Sequence, residues 1–289
     1  MSVPSKDYTS ISPSAEYLVR LKSATPIPFA KEAAALLIRP GASSPGRAAG
    51  VDPTAFFKSV LHFENRYWTV DDLLRQTHPQ HILEISSGYS FRGLGWCFEQ
   101  PVHFIDTDLP DLVAAKQALI QPLVAGHPGT MKGRFELLPL NVMDEAAFSA
   151  IIDRFGDGPM SIVNEGLLVY LDDTEKKQLC HTIGRVLRRR GGHWITGDVY
   201  VKTGREESVA RHPAWDAFRK QHKIDENRFD NYAAAQALFE ACGLEVVERK
   251  AFSMDKLSCL DWKGVNRADV VRLLESKMPI RESWCLRAK

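Results

Sequence analysis

From residue 81 onward the chain alternates short apolar runs with stretches of helical period. The runs are HILEIS (81–86), VHFID (102–106), FELLPL (135–140), SIVNE (161–165), HWITGD (193–198), LEVVERK (244–250) and SWCLRA (283–288). Between the second and third, Leu112, Ala115, Leu119 and Leu123 recur at three- and four-residue steps, one face of a helix. Runs of this kind are covered on both sides, and strands separated by helices form a parallel sheet. The expected fold is α/β, a doubly wound and mostly parallel seven-stranded sheet.

Upstream the texture is helical. Apolar steps such as Ala33, Leu36, Leu37 and Phe56, Val60, Leu61 predict helices over 14–23, 29–38, 53–63 and 69–76, with a Gly/Pro/Ser loop at 41–50. Residues 1–78 therefore read as an amino-terminal helical cap on an α/β domain spanning 79–289. One helix of that domain shows both ends: Asp172, Asp173 and Glu175 open it, and Arg188–Arg190 precede Gly191. Acids at the start, bases at the end and a glycine stop are what the helix dipole and the left-handed cap favour. Residues 199–242 are too long for one crossover and carry two helical stretches, a lid over the substrate side.

Composition narrows the classes. The chain has 289 residues, with 37 Lys and Arg against 36 Asp and Glu. That balance lacks the basic excess of a nucleic-acid binder, so the Arg188–Arg190 triplet reads as a helix terminus. Five cysteines without a C-x-x-C pair argue against a disulfide framework or a zinc knuckle. The histidines, His62 among them, have no ligand spacing and read as surface or core residues, so no metal is expected. MSVPSKDYTS is polar, and no apolar run approaches the ~18 residues of a membrane span. A cytoplasmic protein with neither nucleic acid nor membrane as partner is the expectation.

Ligands of open α/β sheets bind beyond the carboxyl ends of the strands, where the first turn brings its backbone close. After HILEI that turn reads Ser86-Ser87-Gly88-Tyr89-Ser90-Phe91-Arg92. It is neither G-x-G-x-x-G nor a P-loop, which disfavours a nicotinamide oxidoreductase. The second strand ends in Asp106-Thr107-Asp108, about twenty residues beyond Gly88, where an acid accepts ribose hydroxyls. One of the two acids has a plainer role open to it, capping the helix that starts at Pro110. The fourth strand runs into Glu165, with the Tyr170 hydroxyl five residues on.

These segments carry a resemblance. ISSGYSFR, FIDTDLPDLVAAK and NEGLLVYLD, preceded by EYLVRLKS (16–23) and NRYWTVDDLL (65–74), resemble the leucine carboxyl methyltransferase family in the same order. Its bacterial branch includes polyketide O-methyltransferases, and the matches span residues 16–172. The resemblance implies a class I methyltransferase using S-adenosylmethionine and releasing S-adenosylhomocysteine. Carried over by position, it implies Arg66 as partner of the cofactor carboxylate, Gly88 with Ser86 as the backbone cradle, and Arg92 as the arginine closing that motif. It further implies Asp108 as the ribose acid with Asp106 beside it, and Glu165 as the acid at the fourth strand.

Two positions depart from the family. Ser86 stands where a glycine is usual, and Asn141, before Val142, stands where an acid usually helps hold the adenine; an amide both donates to and accepts from an adenine edge. Methyl transfer is an in-line displacement that positioning and water exclusion largely supply. A carboxylate acceptor is already ionised, whereas a hydroxyl needs a base within reach. Tyr170, Asp198 and His193 are the candidates for that base. The leading expectation is an O-methyltransferase acting on a small acid, a phenol or a protein carboxyl end. A non-catalytic module that senses the cofactor or binds a partner is the alternative, with Ser86 and Asn141 as its early signs.

Overall fold

A computed structural model describes residues 12–37, 52–202 and 213–289. The segment 1–10, the loop at 41–50 and positions 203–212 of the expected lid lie outside the described residues. The amino-terminal elements are α1 (Ser12–Lys22), α2 (Ala30–Leu37) and α3 (Pro53–Gln76). There follow β1 (His81–Ile85), α4 (Arg92–Glu99), β2 (His103–Asp108), α5 (Pro110–Gly126), β3 (Arg134–Pro139), α6 (Glu145–Ile152) and β4 (Met160–Asn164). The chain continues through α7 (Asp173–Arg190), β5 (Gly192–Tyr200), α8 (Pro213–Gln221), α9 (Tyr232–Ala241), β6 (Leu244–Lys250), α10 (Arg267–Glu275) and β7 (Arg281–Ala288).

The seven strands form one sheet in the order β3-β2-β1-β4-β5-β7-β6. β1 pairs parallel to both β2 and β4, so the direction of winding reverses between β1 and β4. β7 enters antiparallel between β5 and β6, unlike the 3-2-1-4-5-6 order of dinucleotide-binding sheets. Neighbouring residues of one strand enter opposite layers of core: Leu83 joins Phe148, Leu179 and Trp194 on one face, and Ile82 joins Leu73, Leu74 and Trp96 on the other. That double burial is why the strands read as continuous apolar runs.

Two local outcomes bear on the site. The α7 start closes as a capping box, Asp172 accepting from the Thr174 and Glu175 N–H groups while Glu175 accepts from the Asp172 N–H. In place of the two helices expected over 53–63 and 69–76, α3 is one helix of 24 residues. Its middle broke the apolar pattern because it buries polar side chains, each with a distant partner. Asn65 bonds Ala251 and Ser253, Glu64 bonds Ser258 and Cys259, and Arg66 bonds Glu165. No helix among the described residues is long and apolar enough to cross a membrane.

Candidate functional site

The β1–α4 turn lies over the carboxyl ends of β1 and β2. The Ser87 N–H donates to the Thr107 carbonyl and the Ser90 N–H to the Ser87 carbonyl, which bends the chain through Ser86 at φ +51° and Gly88 at φ +55°. Glycine takes that left-handed conformation freely, whereas a serine does so at a cost of about 1–2 kcal/mol. The Gly88 N–H donates to Asp108 Oδ2 at 2.7 Å and the Leu109 N–H to Oδ1 at 2.7 Å. Burial pushes the Asp108 carboxyl up, and these two N–H groups and Lys116 pull against it. Each Asp108 oxygen accepts one hydrogen bond and keeps a further lone pair.

Asp106, two residues earlier, has another fate. It is fully buried beneath the turn, where Lys116 Nζ stands 2.6 Å from Oδ2 and reaches Ser87 Oγ at 3.0 Å. The structure does not bring Asp106, expected beside the ligand, to the cavity: it holds Lys116, which holds the turn.

At the tip of β4, Glu165 is surrounded by cations from three helices. Lys22 Nζ (2.5 Å) and Arg66 Nε (3.2 Å) both donate to Oε1, and an Arg92 terminal nitrogen donates to Oε2 at 2.8 Å. Burial pushes the Glu165 carboxyl up, but Lys22, Arg66 and Arg92 prevail and hold it far below the usual range. Arg92 is fully buried, lies 4.0 Å from the Tyr67 ring centroid and also donates to Glu84 and Asp71. Arg92, expected from the resemblance to close the cofactor motif, does not line the cavity and pairs with Glu165 from beneath. Lys22 was not among the candidates, since nothing in its spacing relates the end of α1 to β4.

The same geometry decides among the expected bases. Asp198 is buried and accepts from the Gly166 N–H (2.6 Å), the Leu167 N–H (2.6 Å), the Leu168 N–H (3.2 Å) and Asn164 Nδ2 (2.7 Å). Its acceptor capacity is spent on fixing the turn after β4, and the structure does not bring Asp198 to the cavity. His193 is the second residue of β5, paired with Ser161 at the amino ends of the strands and remote from the cavity. The structure therefore does not bring His193, an expected base, to the other candidates. Tyr170 ends a short 3-10 turn, 168–170, and lines the cavity edge-on to Phe218.

One cavity of about 1350 Å³ joins these parts. Arg66, Ser86, Gly88, Asp108, Glu165 and Tyr170 line it, as do Asn141 and Val142 at the end of β3. The Asn141 side-chain oxygen accepts from the Met143 N–H at 3.0 Å. His62, read from sequence as a surface or core residue, also lines the cavity, and its Nε2 stands 2.8 Å from the Tyr200 hydroxyl.

No family model matches the chain, and no curated protein sequence does. Solved structures do match. A DUF574 family protein from Streptomyces avermitilis superposes with a TM-score of 0.54 at 16% identity, covering 96% of this chain and 97% of the other. A putative methyltransferase from Thermobifida fusca superposes with a TM-score of 0.52 at 14% identity, covering 94% of each. At such identity the likeness is one of fold. That fold, a seven-stranded sheet with β7 antiparallel and helices on both faces, is the Rossmann-like fold of the class I methyltransferases.

Proposed function

We propose that this chain is an S-adenosylmethionine-dependent O-methyltransferase acting on a small-molecule acceptor. The observation that carries the reading is a single cavity holding both the Gly88–Asp108 turn and the Lys22–Glu165–Arg66 cluster. Lys22 and Arg66 share one oxygen of one carboxylate, so a second carboxylate, that of the methionyl group, fits between them. The free lone pairs of Asp108 suit two ribose hydroxyls, and the Asn141 amide suits an adenine edge. Val142 offers that ring an apolar contact.

When bound, the cofactor supplies an electrophilic methyl group on a sulfonium. The residues of this chain then bind, orient and exclude water, which supplies most of the acceleration in an in-line displacement. Glu165 keeps Lys22 and Arg66 in place, and Arg92 beneath it keeps Glu165 in place. Residues of α3, α10 and the segment before β7 wall the cavity beside this cluster, a surface suited to a small acceptor. Calorimetric titration with S-adenosylmethionine and S-adenosylhomocysteine tests the reading. Micromolar binding of either supports it, and no binding refutes it in favour of a non-catalytic module.

A further inference from the structure

The cavity exceeds the roughly 300–1,000 Å³ that a single small-molecule site occupies, so it has room for two ligands. Its walls change character along the sheet edge. Over β1–β3 they are the Gly88 turn, Asp108 and Asn141 among Leu112 and Leu140; past Glu165 the aromatic rings of Phe57, Phe63 and Phe252 enter, with Arg228 and Arg281 beside them. Tyr200 and His62 stand in this second half. Tyr200 closes β5, and His62 precedes Arg66 by one turn of α3. An Arg66 terminal nitrogen donates to the Tyr200 hydroxyl oxygen at 3.3 Å, and His62 Nε2 is 2.8 Å from the same oxygen. A guanidinium only donates, so the hydroxyl accepts from Arg66. In the His62 tautomer that carries its proton on Nδ1, Nε2 is the acceptor for the hydroxyl's own proton.

We infer that Tyr200 and His62 form a proton-accepting pair for a phenolic or enolic hydroxyl carried on an apolar ring system, bound in the β5–β7 half of the cavity. The inference rests on the methyltransferase reading above. A carboxylate needs no such pair, and among hydroxyls a phenol or enol gives up its proton to a weak base more readily than an aliphatic alcohol does. Tyr200 meets the acceptor, and His62 acts through Tyr200. As the acceptor oxygen bonds to the methyl carbon, the carbon–sulfur bond breaks and its electron pair remains on sulfur. The acceptor's proton passes to the Tyr200 oxygen while the Tyr200 proton passes to His62 Nε2. One positive charge is lost at sulfur and one gained at the imidazole, so the charge of the site is unchanged. The imidazolium returns its proton to water as the products leave. Burial pushes His62 well below its ordinary pKa, helped by Arg281 of β7, Arg66 of α3 and Arg228 before α9, and opposed by Glu165 after β4. With Tyr200 of β5 as its hydrogen-bond partner, His62 is unprotonated at neutral pH and able to accept.

The test uses the full chain, with His62→Gln and Tyr200→Phe as variants. In ¹⁵N-histidine NMR, the resonance lost in His62→Gln is expected to show Nδ1 protonated and Nε2 bare across the neutral range, and Tyr200→Phe is expected to move Nε2. A proton on Nε2 overturns the inference. With S-adenosylhomocysteine saturating, fluorescence follows the binding of 7-hydroxycoumarin and of coumarin-3-carboxylic acid. The phenol is expected to bind, and to weaken about tenfold or more in Tyr200→Phe, the loss of one hydrogen bond. Preferential binding of the carboxylate, equal in wild type and Tyr200→Phe, overturns the inference. Methyl transfer to 7-hydroxycoumarin is expected to fall roughly 10²–10⁴-fold in kcat in His62→Gln, with KM unchanged. Calorimetry of the same proteins separates the two readings. Wild type that fails to bind S-adenosylhomocysteine refutes the cofactor site, whereas binding with Nε2 protonated refutes the proton-accepting pair alone.

Discussion

Glu165→Gln isolates the electrostatic centre of the site. The wild-type carboxylate is buried and receives Lys22, Arg66 and Arg92 at 2.5–3.2 Å. Glutamine keeps its size and one acceptor oxygen but removes the negative charge and turns an NH₂ group toward a cation. Arg92 retains Asp71 and Glu84, so the loss falls mainly on Lys22 and Arg66. Removing one partner of a buried ion pair costs about 3–5 kcal/mol, a large part of a total stability of about 5–15 kcal/mol. At about 2–4 °C per kcal/mol for a domain approaching this size, Tm is expected to fall by roughly 6–20 °C in scanning calorimetry. The pH dependence has a definite sign. Because the folded pKa lies far below the ordinary 4.5, the carboxylate's stabilisation is fully present above that value and is lost as pH falls through the acid range. The acid limb of the stability curve should therefore be flatter in Glu165→Gln. A Tm within about 2 °C of wild type and an unchanged acid limb would refute the reading of Glu165 as the hub of three buried cations.

Further outcomes follow from the same geometry. Arg66→Ala and Asp108→Ala are each expected to weaken S-adenosylhomocysteine binding by about 1.5–3 kcal/mol, roughly 10- to 150-fold in Kd by calorimetry; unchanged affinity in both refutes the binding assignment. Asp198→Asn removes the charge that holds three backbone N–H groups after β4 and should cost about 2–3 kcal/mol in urea unfolding; full stability with methyl transfer abolished would restore Asp198 as a base. Glu84 is raised to about 7, burial outweighing the opposing pull of Arg92, and so binds its proton more tightly folded than unfolded. The Glu84 contribution to stability should decline between pH 4.5 and about 7, by up to about 1.4 kcal/mol per pH unit, and Glu84→Gln should flatten the stability curve there.

Much of the architecture was legible because its signals are local. A strand buried on both faces must be apolar along its length, and all seven runs coincide with strands to within about two residues. The α7 caps were legible because acid, base and glycine preferences at helix ends act within one turn. The helix α3 was misread as two for the converse reason. Its buried Glu64, Asn65 and Arg66 look like a solvent-facing break until their partners, 99 to 195 residues away, are known. Helices α4, α6 and α10 gave no separate signal, and α10 buries none of its residues.

For the candidate site, the chain alone pointed to strand ends that meet at one cavity: the bend at Gly88, Asp108 of β2, and Glu165 after β4. Only the tertiary structure decided what each residue does there. Asp106, Asp108 and Asp198 are the same residue type near strand ends, yet one pairs with Lys116, one caps the cavity-facing Gly88 turn, and one is consumed by the turn after β4. Lys22 meets Glu165 across 143 residues, and His62 meets Tyr200 across 138. Hydrophobic periodicity carries no information at such separations. The sheet order and the path of α3 over it bring these groups together, and burial then makes each charge depend on the partner it finds.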